Sequence, residues 1–213
     1  MHDDSLSAPS MMDGITELHD IRLDQVLRRI RASGARRVLD LGCGLGQLLH
    51  RLTAEKQFER IVGLEPCPRA LAKARQLLAD QPQAPFPQLT LINGSYTEPQ
   101  PSLCGYDAAA MVETIEHIKP GLLSAVEQVV FAQMRPRVIY LTTPNSEYNS
   151  LYGLRPGEFR EPDHKFEWNR TRFAQWARGV AQRNSYRVVL GGIGDEDPEL
   201  GPPTQTAYFS LLD

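Results

Sequence analysis

The chain has 213 residues, with 23 Lys and Arg against 26 Asp and Glu and a formal net charge of −3. That length suits a single α/β domain with a sizeable core, and the near-neutral charge excludes a general polyanion-binding field, so any nucleic acid has to be held by a local basic patch. Cys43, Cys67 and Cys104 are odd in number and lack a C-x-x-C pairing, no apolar run is long enough to cross a membrane, and the start MHDDSLSAPS has no signal-peptide pattern; these features exclude a disulfide framework and a zinc knuckle and fit a cytoplasmic protein with reduced thiols.

In chain order, residues 1–15 read as a flexible N-terminal segment and 16–213 as one domain. ITELHDIRLDQVLRRIRASG has helical periodicity, with Ile21, Val26, Leu27 and Ile30 on the buried side and Gly34 closing it. Strands follow near 38–41, 61–65, 89–92, 107–112 and 137–142, separated by helical patterns around 46–54, 68–80 and 121–132. Alternation of this kind predicts a mostly parallel sheet with helices on both faces. QPQAPFPQ at 81–88 has too many prolines for anything but a loop. After a helix near 171–183, YRVVLGG and QTAYFSLL read as a closing antiparallel pair, which brings the sheet to seven strands with an antiparallel C-terminal strand. The intervening GIGDEDPELGPP is a Gly-, Pro- and acid-rich surface loop with no chemical role evident in its residues.

VLDLGCGLG at 38–46 is the first stretch that carries chemistry: a strand ends at Asp40, and Gly42, Gly44 and Gly46 lead into the helix QLLHRL. Glycines permit positive φ and close approach of a ligand, and the helix N-terminus behind them favours an anionic group. The spacing is D-x-G-x-G-x-G rather than the dinucleotide G-x-G-x-x-G, and it resembles the first motif of class I S-adenosylmethionine-dependent methyltransferases. IVGLEP then ends a second apolar run at Glu65, about twenty residues further on. A carboxylate there can accept from both ribose hydroxyls of an adenosyl cofactor; an ordinary strand-to-helix turn with a solvated Glu fits that piece equally well.

AMVETIEHI at 110–118 delivers Glu113 to the carboxyl edge of the sheet, the edge where ligands bind. In a helical turn Glu113, Glu116 and His117 share one face, and two carboxylates with one imidazole suit Mn²⁺ or Mg²⁺ rather than a thiolate-type zinc site. The same spacing also fits a polar helix start favoured by the helix dipole. His164, in the polar loop before the last helix, supplies a further imidazole and a fourth ligand.

The glycine turn, E-T-I-E-H at 113–117, T-P-N-S-E-Y-N at 143–149 and D-H-K-F-E-W at 163–168, in this order, resemble the HUA-enhancer family of RNA methyltransferases over about residues 16–182. The resemblance implies a Rossmann-like class I methyltransferase domain. Its activity would be metal-dependent transfer of a methyl group from S-adenosylmethionine to the 2′-hydroxyl of the 3′-terminal ribose of RNA, single-stranded at its end, which protects that end. It implies Glu113, Glu116, His117 and His164 as catalytic metal ligands for Mn²⁺ or Mg²⁺. Asp40, Gly42, Gly44 and Glu65 would line the cofactor site, with Ser95 or Tyr96 near the adenine. Plant members carry large RNA-binding regions ahead of this domain, and many bacterial members an N-terminal half that works with an RNA repair kinase and ligase, which makes such a kinase or ligase a candidate partner.

For RNA contacts, Arg155, Arg160, Lys165, Arg170 and Arg172 are interleaved with Tyr148, Tyr152, Phe159, Phe166 and Trp168. Basic groups can hold the last phosphates while an aromatic such as Trp168 stacks a base; the alternative is a solvated surface with the aromatics in the core. Arg22 joins Arg160, Lys165 and Trp168 as an RNA candidate because the family has an arginine in the helix before the glycine turn. A small-molecule O-methyltransferase, or a non-catalytic cofactor-binding subunit of an RNA repair complex, would share the glycine turn without needing four metal ligands.

Overall fold

The computed structural model describes residues 11–79 and 88–212. Helix α1 (Met11–Ala32) leads into β1 (Arg37–Leu41), α2 (Gln47–Thr53), β2 (Arg60–Glu65), α3 (Pro68–Ala79), β3 (Gln88–Asn93) and β4 (Ala108–Val112). Then come α4 (Leu123–Val126), β5 (Val138–Pro144), α5 (Arg170–Arg183) and the hairpin β6 (Tyr186–Ile193) and β7 (Thr204–Leu211). The seven strands form one sheet in the order β3-β2-β1-β4-β5-β7-β6. β1 to β5 are mutually parallel, with Leu39 opposite Val62 on one side and Ala109 on the other, while β7 runs antiparallel to both β5 and β6. The expected mostly parallel sheet with an antiparallel closing strand is what forms. The chain order reverses between β1 and β4, the place in such sheets where ligands bind at the carboxyl ends of the strands.

Each sheet face carries its own core. Leu23, Val26 and Ile30 of α1 pack with Leu48, Leu49, Leu52 and Leu71 over Val38 and Ile61. On the other face Val130, Phe131 and Met134 pack with Phe173 and Val180 of α5 against Leu39, Ile139 and Phe209. The stripe on α1 is therefore Leu23, Val26 and Ile30, with Leu27 only partly buried. Ile21 does not belong to it as expected: it is 42% exposed, because it lies off the i, i+3, i+7 line that faces the sheet.

Two further boundaries differ from the sequence expectation. The helix expected at 121–132 begins as a 3-10 turn, Pro120–Leu122, continues through α4 and widens into π-helix over Glu127–Met134. Arg135 ends it at φ 48 with its N–H donated to the Val130 carbonyl five residues back. Of the expected flexible segment 1–15, residues 1–10 lie outside the described residues, and α1 already runs from Met11. The proline-rich loop at 81–88 lies outside them too, except that Gln88 starts β3. Among the described residues no helix is long and apolar enough to cross a membrane.

Phe131 is fully buried, with ring centroids 5.7 Å from Tyr186 and 4.9 Å from Phe209, so it joins the π-helix to the antiparallel hairpin. Phe131→Ala leaves a cavity that these elements cannot close and is expected to cost about 3–5 kcal/mol, read from equilibrium urea denaturation.

Candidate active site at the carboxyl edge of the sheet

Asp40, at the end of β1, is 2% exposed, and its Oδ2 has no hydrogen-bond partner. Burial first, and then the nearby Glu65 carboxylate, push its pKa up to about 7. Beyond it the chain turns through Gly42 at φ 82 and Gly44 at φ 52. A Cβ on Gly42 would meet Thr114 Oγ1 at 2.1 Å, whereas one on Gly44 would meet nothing within 4 Å. The first glycine is thus required by packing, and the second leaves open space where a ligand can approach.

Glu65, at the end of β2, is 8% exposed. Its Oε2 accepts from the Gly44 N–H at 2.9 Å and its Oε1 from the Cys67 N–H at 2.8 Å. A carboxylate has about four lone-pair sites, so each oxygen keeps one for a vicinal diol. Cys43 is buried, while Cys67 and Cys104 are exposed free thiols.

The segment Ser95–Tyr96 divides. Ser95 pairs its hydroxyl with Thr97 Oγ1 at 2.7 Å and stays half-buried. Tyr96 is 2% exposed, sits in the core, and donates its hydroxyl to the Thr114 carbonyl at 3.0 Å. Its side chain therefore belongs to the core and is not exposed to meet an adenine.

Across the switch point, β4 leads to the second group. Glu113 does not begin a regular helical turn as expected: it adopts φ 46, and a 3-10 turn follows over Ile115–His117. A non-glycine residue in the left-handed region costs free energy and persists only where its surroundings impose it. Here the Glu113 N–H is donated to the Thr142 carbonyl at 3.1 Å and Thr142 Oγ1 donates to Glu113 Oε1 at 2.8 Å.

The turn brings Glu116, His117 and His164 together, with one ligand-type atom from each lying within 4.8 Å of the others. Glu113 lines the same cavity but is not in this close group; its Oε2 lies 3.4 Å from Arg22 Nη2. Glu116 is fully buried: Oε2 accepts from Thr143 Oγ1 at 2.9 Å, and Oε1 has no partner. Burial, followed by the Glu113 charge, holds its carboxyl well above the usual carboxylate range. Burial also lowers the His117 pKa despite the Asp163 carboxylate 3.0 Å from its Nδ1, which favours the neutral, metal-binding form of imidazole. His164 is buried rather than set in an exposed polar loop, and its Nδ1 lies 2.5 Å from Glu167 Oε1.

These residues line a cavity of about 480 Å³ whose other walls include His19, Arg22, Gln47, Tyr152, Leu154 and Arg160. Of the expected RNA contacts, Arg22 and Arg160 face this cavity. Arg22 is itself 7% exposed and also donates to Thr204 Oγ1. Arg160 donates to the Asn149 side chain at 2.7 Å and the Asn145 carbonyl at 2.6 Å, and lies over the Tyr152 ring. Lys165 and Arg155 are exposed, and Arg170 is tied to Glu147 at 2.7 Å. Trp168 is not available to stack a base: it is 5% exposed and stacked on Phe166, centroids 4.3 Å apart. The alternative reading of core aromatics holds for this pair, while Phe159 stays 41% exposed.

Three residues escaped the sequence reading. Asn145 is fully buried; its side chain donates to the carbonyls of Leu200 and Pro202, so the loop that showed no chemical role is the brace of this wall. Asp163 and Glu167 hold the two histidines, and their closeness in sequence to His164 was the available signal.

A family model described as a methyltransferase domain matches residues 39–137. The chain is 34% identical over 184 residues to a small RNA 2′-O-methyltransferase of Xenopus tropicalis, spanning 82% of this chain and 50% of that protein; it covers about half the length of the first curated relatives it matches. Among solved structures, the methyltransferase domain of bacterial CtHen1-CN is 37% identical, with a TM-score of 0.82 and coverage of 91% of this chain and 100% of that one. Small RNA methyltransferase HEN1 is 30% identical with a TM-score of 0.85, covering 99% of this chain and 27% of that one.

Asp40 gives this site a pH signature. Its folded pKa of about 7 exceeds the ordinary 3.8, so between about pH 4 and about pH 7 the native state holds a proton that the unfolded chain releases, and stability falls as pH rises through that window. Asp40→Asn is expected to remove part of this slope in the ligand-free protein, each pKa unit being worth about 1.4 kcal/mol; Glu116, shifted in the same direction, adds to it. Denaturation midpoints at the two ends of the window measure it.

Proposed function

The chain belongs to the Hen1 family of small RNA 2′-O-methyltransferases, and we propose that it transfers a methyl group from S-adenosylmethionine to the 2′-hydroxyl of the 3′-terminal ribose of RNA, with a divalent metal. The observation that carries this reading is the fully buried Glu116, with one partnerless oxygen, grouped with His117 and His164 on the wall of an open cavity. Its donor set of carboxylate oxygen and imidazole nitrogen suits Mn²⁺ or Mg²⁺, and an uncompensated buried carboxylate calls for a cation or a proton. The residues therefore fit the metal. Glu116, His117 and His164 would hold it, with Glu113 on the same wall as the fourth ligand. When bound, such an ion supplies Lewis acidity that makes a ribose hydroxyl a better nucleophile at neutral pH.

The cofactor also has a fitting cradle. Glu65 keeps acceptor capacity for a ribose diol, Asp40 keeps a buried oxygen without a partner, and Gly44 leaves the approach open. S-adenosylmethionine supplies a sulfonium methyl as electrophile. Arg22 and Arg160, fixed by their own hydrogen bonds, present positive charge to the cavity and orient a terminal phosphate or ribose with little loss of side-chain freedom. The lowered pKa of His117 favours the neutral form that binds a metal. Terminal specificity follows from the need for two free vicinal oxygens, which only a 3′-terminal ribose offers. Methylation of the 2′-oxygen removes the end's own nucleophile and so protects it.

Glu65→Ala is expected to weaken S-adenosylmethionine binding by about 1–3 kcal/mol, and unchanged affinity in calorimetry would take Glu65 out of the site. Glu116→Ala, His117→Ala and His164→Ala should each lower methyl transfer by about two orders of magnitude or more while sparing cofactor binding, since Lewis-acid stabilisation is worth several kcal/mol; full activity in metal-free buffer refutes that role. The function itself is tested with three RNAs of one sequence, ending in ribose, 2′-deoxyribose or 3′-deoxyribose. The first should be labelled, the second inert and the third poor. Equal labelling of all three points to a base or an internal site, and labelling of none, despite tight cofactor binding, points to a small-molecule substrate or a binding subunit.

A further inference from the structure

Glu167 has an enclosed side chain behind His164. Its side chain is 0% exposed and that of its partner His164 is 5% exposed. Three nitrogens converge on it: His164 Nδ1 at 2.5 Å and the Arg160 N–H at 2.7 Å on Oε1, and Asn149 Nδ2 at 2.5 Å on Oε2. Asn149 is fixed in turn, because its Oδ1 accepts from Arg160 Nε at 2.7 Å. The carboxylate thus cannot rotate without breaking several hydrogen bonds in a dry environment, where each is costly to lose. An ionised carboxylate only accepts, so the proton of a neutral His164 ring is held on Nδ1 and Nε2 keeps its lone pair. His117 lacks such a lock: its partner Asp163 has a side chain 68% exposed, and the pair is open to solvent.

We propose that Glu167 is a positioning residue that fixes the tautomer and ring orientation of His164, leaving Nε2 as the nitrogen offered to a divalent cation, with Asn149 and the Arg160 backbone holding Glu167 in place. This rests on the metal reading above, but the orientation of His164 can be measured without any metal. It also gives the T-P-N-S-E-Y-N and D-H-K-F-E-W segments a joint purpose, since Asn149 comes from one and His164 and Glu167 from the other. A carboxylate behind a ligating imidazole raises its basicity and fixes its direction, and losing such a partner typically costs about 10–100-fold in metal affinity.

The test uses the full chain, free of metal and then titrated with Mn²⁺. Nitrogen-15 correlation spectra, recorded where the ring is neutral, should show His164 of the wild type as the Nδ1–H tautomer. Glu167→Leu should abolish that preference and raise the Mn²⁺ dissociation constant by about 10–100-fold. Glu167→Gln, whose amide oxygen still accepts from Nδ1–H while its NH2 faces the Asn149 donor, should keep the Nδ1–H tautomer and recover part of the affinity lost in the Leu variant. A purely structural role for Glu167 would lower the melting temperature without moving the tautomer. An Nε2–H tautomer in the wild type overturns the proposal even if the Leu variant does not fold, as does a folded Leu variant with unchanged tautomer and Mn²⁺ affinity. A wild type with the Nδ1–H tautomer that takes up no Mn²⁺ upholds the positioning by Glu167 and overturns the metal reading.

Discussion

A carboxylate group buried to 0% exposure with one oxygen unpaired is the constraint around which this end of the molecule is built. Desolvating an ionised carboxylate without a partner costs several kcal/mol or more, so Glu116 needs a proton or a cation. The surroundings hold it rigidly in that state. Thr143 satisfies its second oxygen, its backbone carbonyl accepts from the Lys165 N–H at 2.8 Å, and the 3-10 turn that carries it follows a residue in the left-handed region. Backbone strain and desolvation are thus concentrated at one point, next to two imidazoles.

The two halves of the crevice are physically joined. Gly42, in the first turn, packs so closely on Thr114 that no side chain fits between them, and Tyr96 donates its hydroxyl to the Thr114 carbonyl. Thr114 directly precedes the turn that carries Glu116 and His117. The open space at Gly44 and the Glu116 group are therefore held in fixed relation by side-chain contact across β1 and β4, and not only by the sheet. A transfer reaction between two bound partners needs such fixed distances, because misplacement by about 1 Å can cost orders of magnitude in rate.

The stretch between β5 and α5 does two jobs with one composition. Phe166 and Trp168 go inward and anchor the segment on the core, while Arg160 and Tyr152 turn toward the cavity. Asn145 ties its start to the carbonyls of the loop before β7, so an acid-rich surface loop becomes the brace of the cavity wall. Of the basic and aromatic residues interleaved in sequence, Phe166 and Trp168 are thus packed and Tyr152 and Arg160 line the cavity, while Arg155, Phe159 and Lys165 stay exposed.

The alternation of strand and helix, the antiparallel closing hairpin and the glycine turn were legible in the sequence, because hydrophobic period and glycine spacing are local properties of the chain. So was the gathering of Glu116 and His117, which are adjacent residues. Local pattern could not decide which side of α1 faces the sheet at Ile21, that Glu113 turns left-handed and meets Arg22, or that Trp168 and Tyr96 are core. Nor could it show Asn149 and Glu167, eighteen positions apart, meeting behind His164. Each of these depends on which distant segment packs alongside, and burial, not residue type, determines whether a carboxylate, an indole or an imidazole faces solvent, core or ligand.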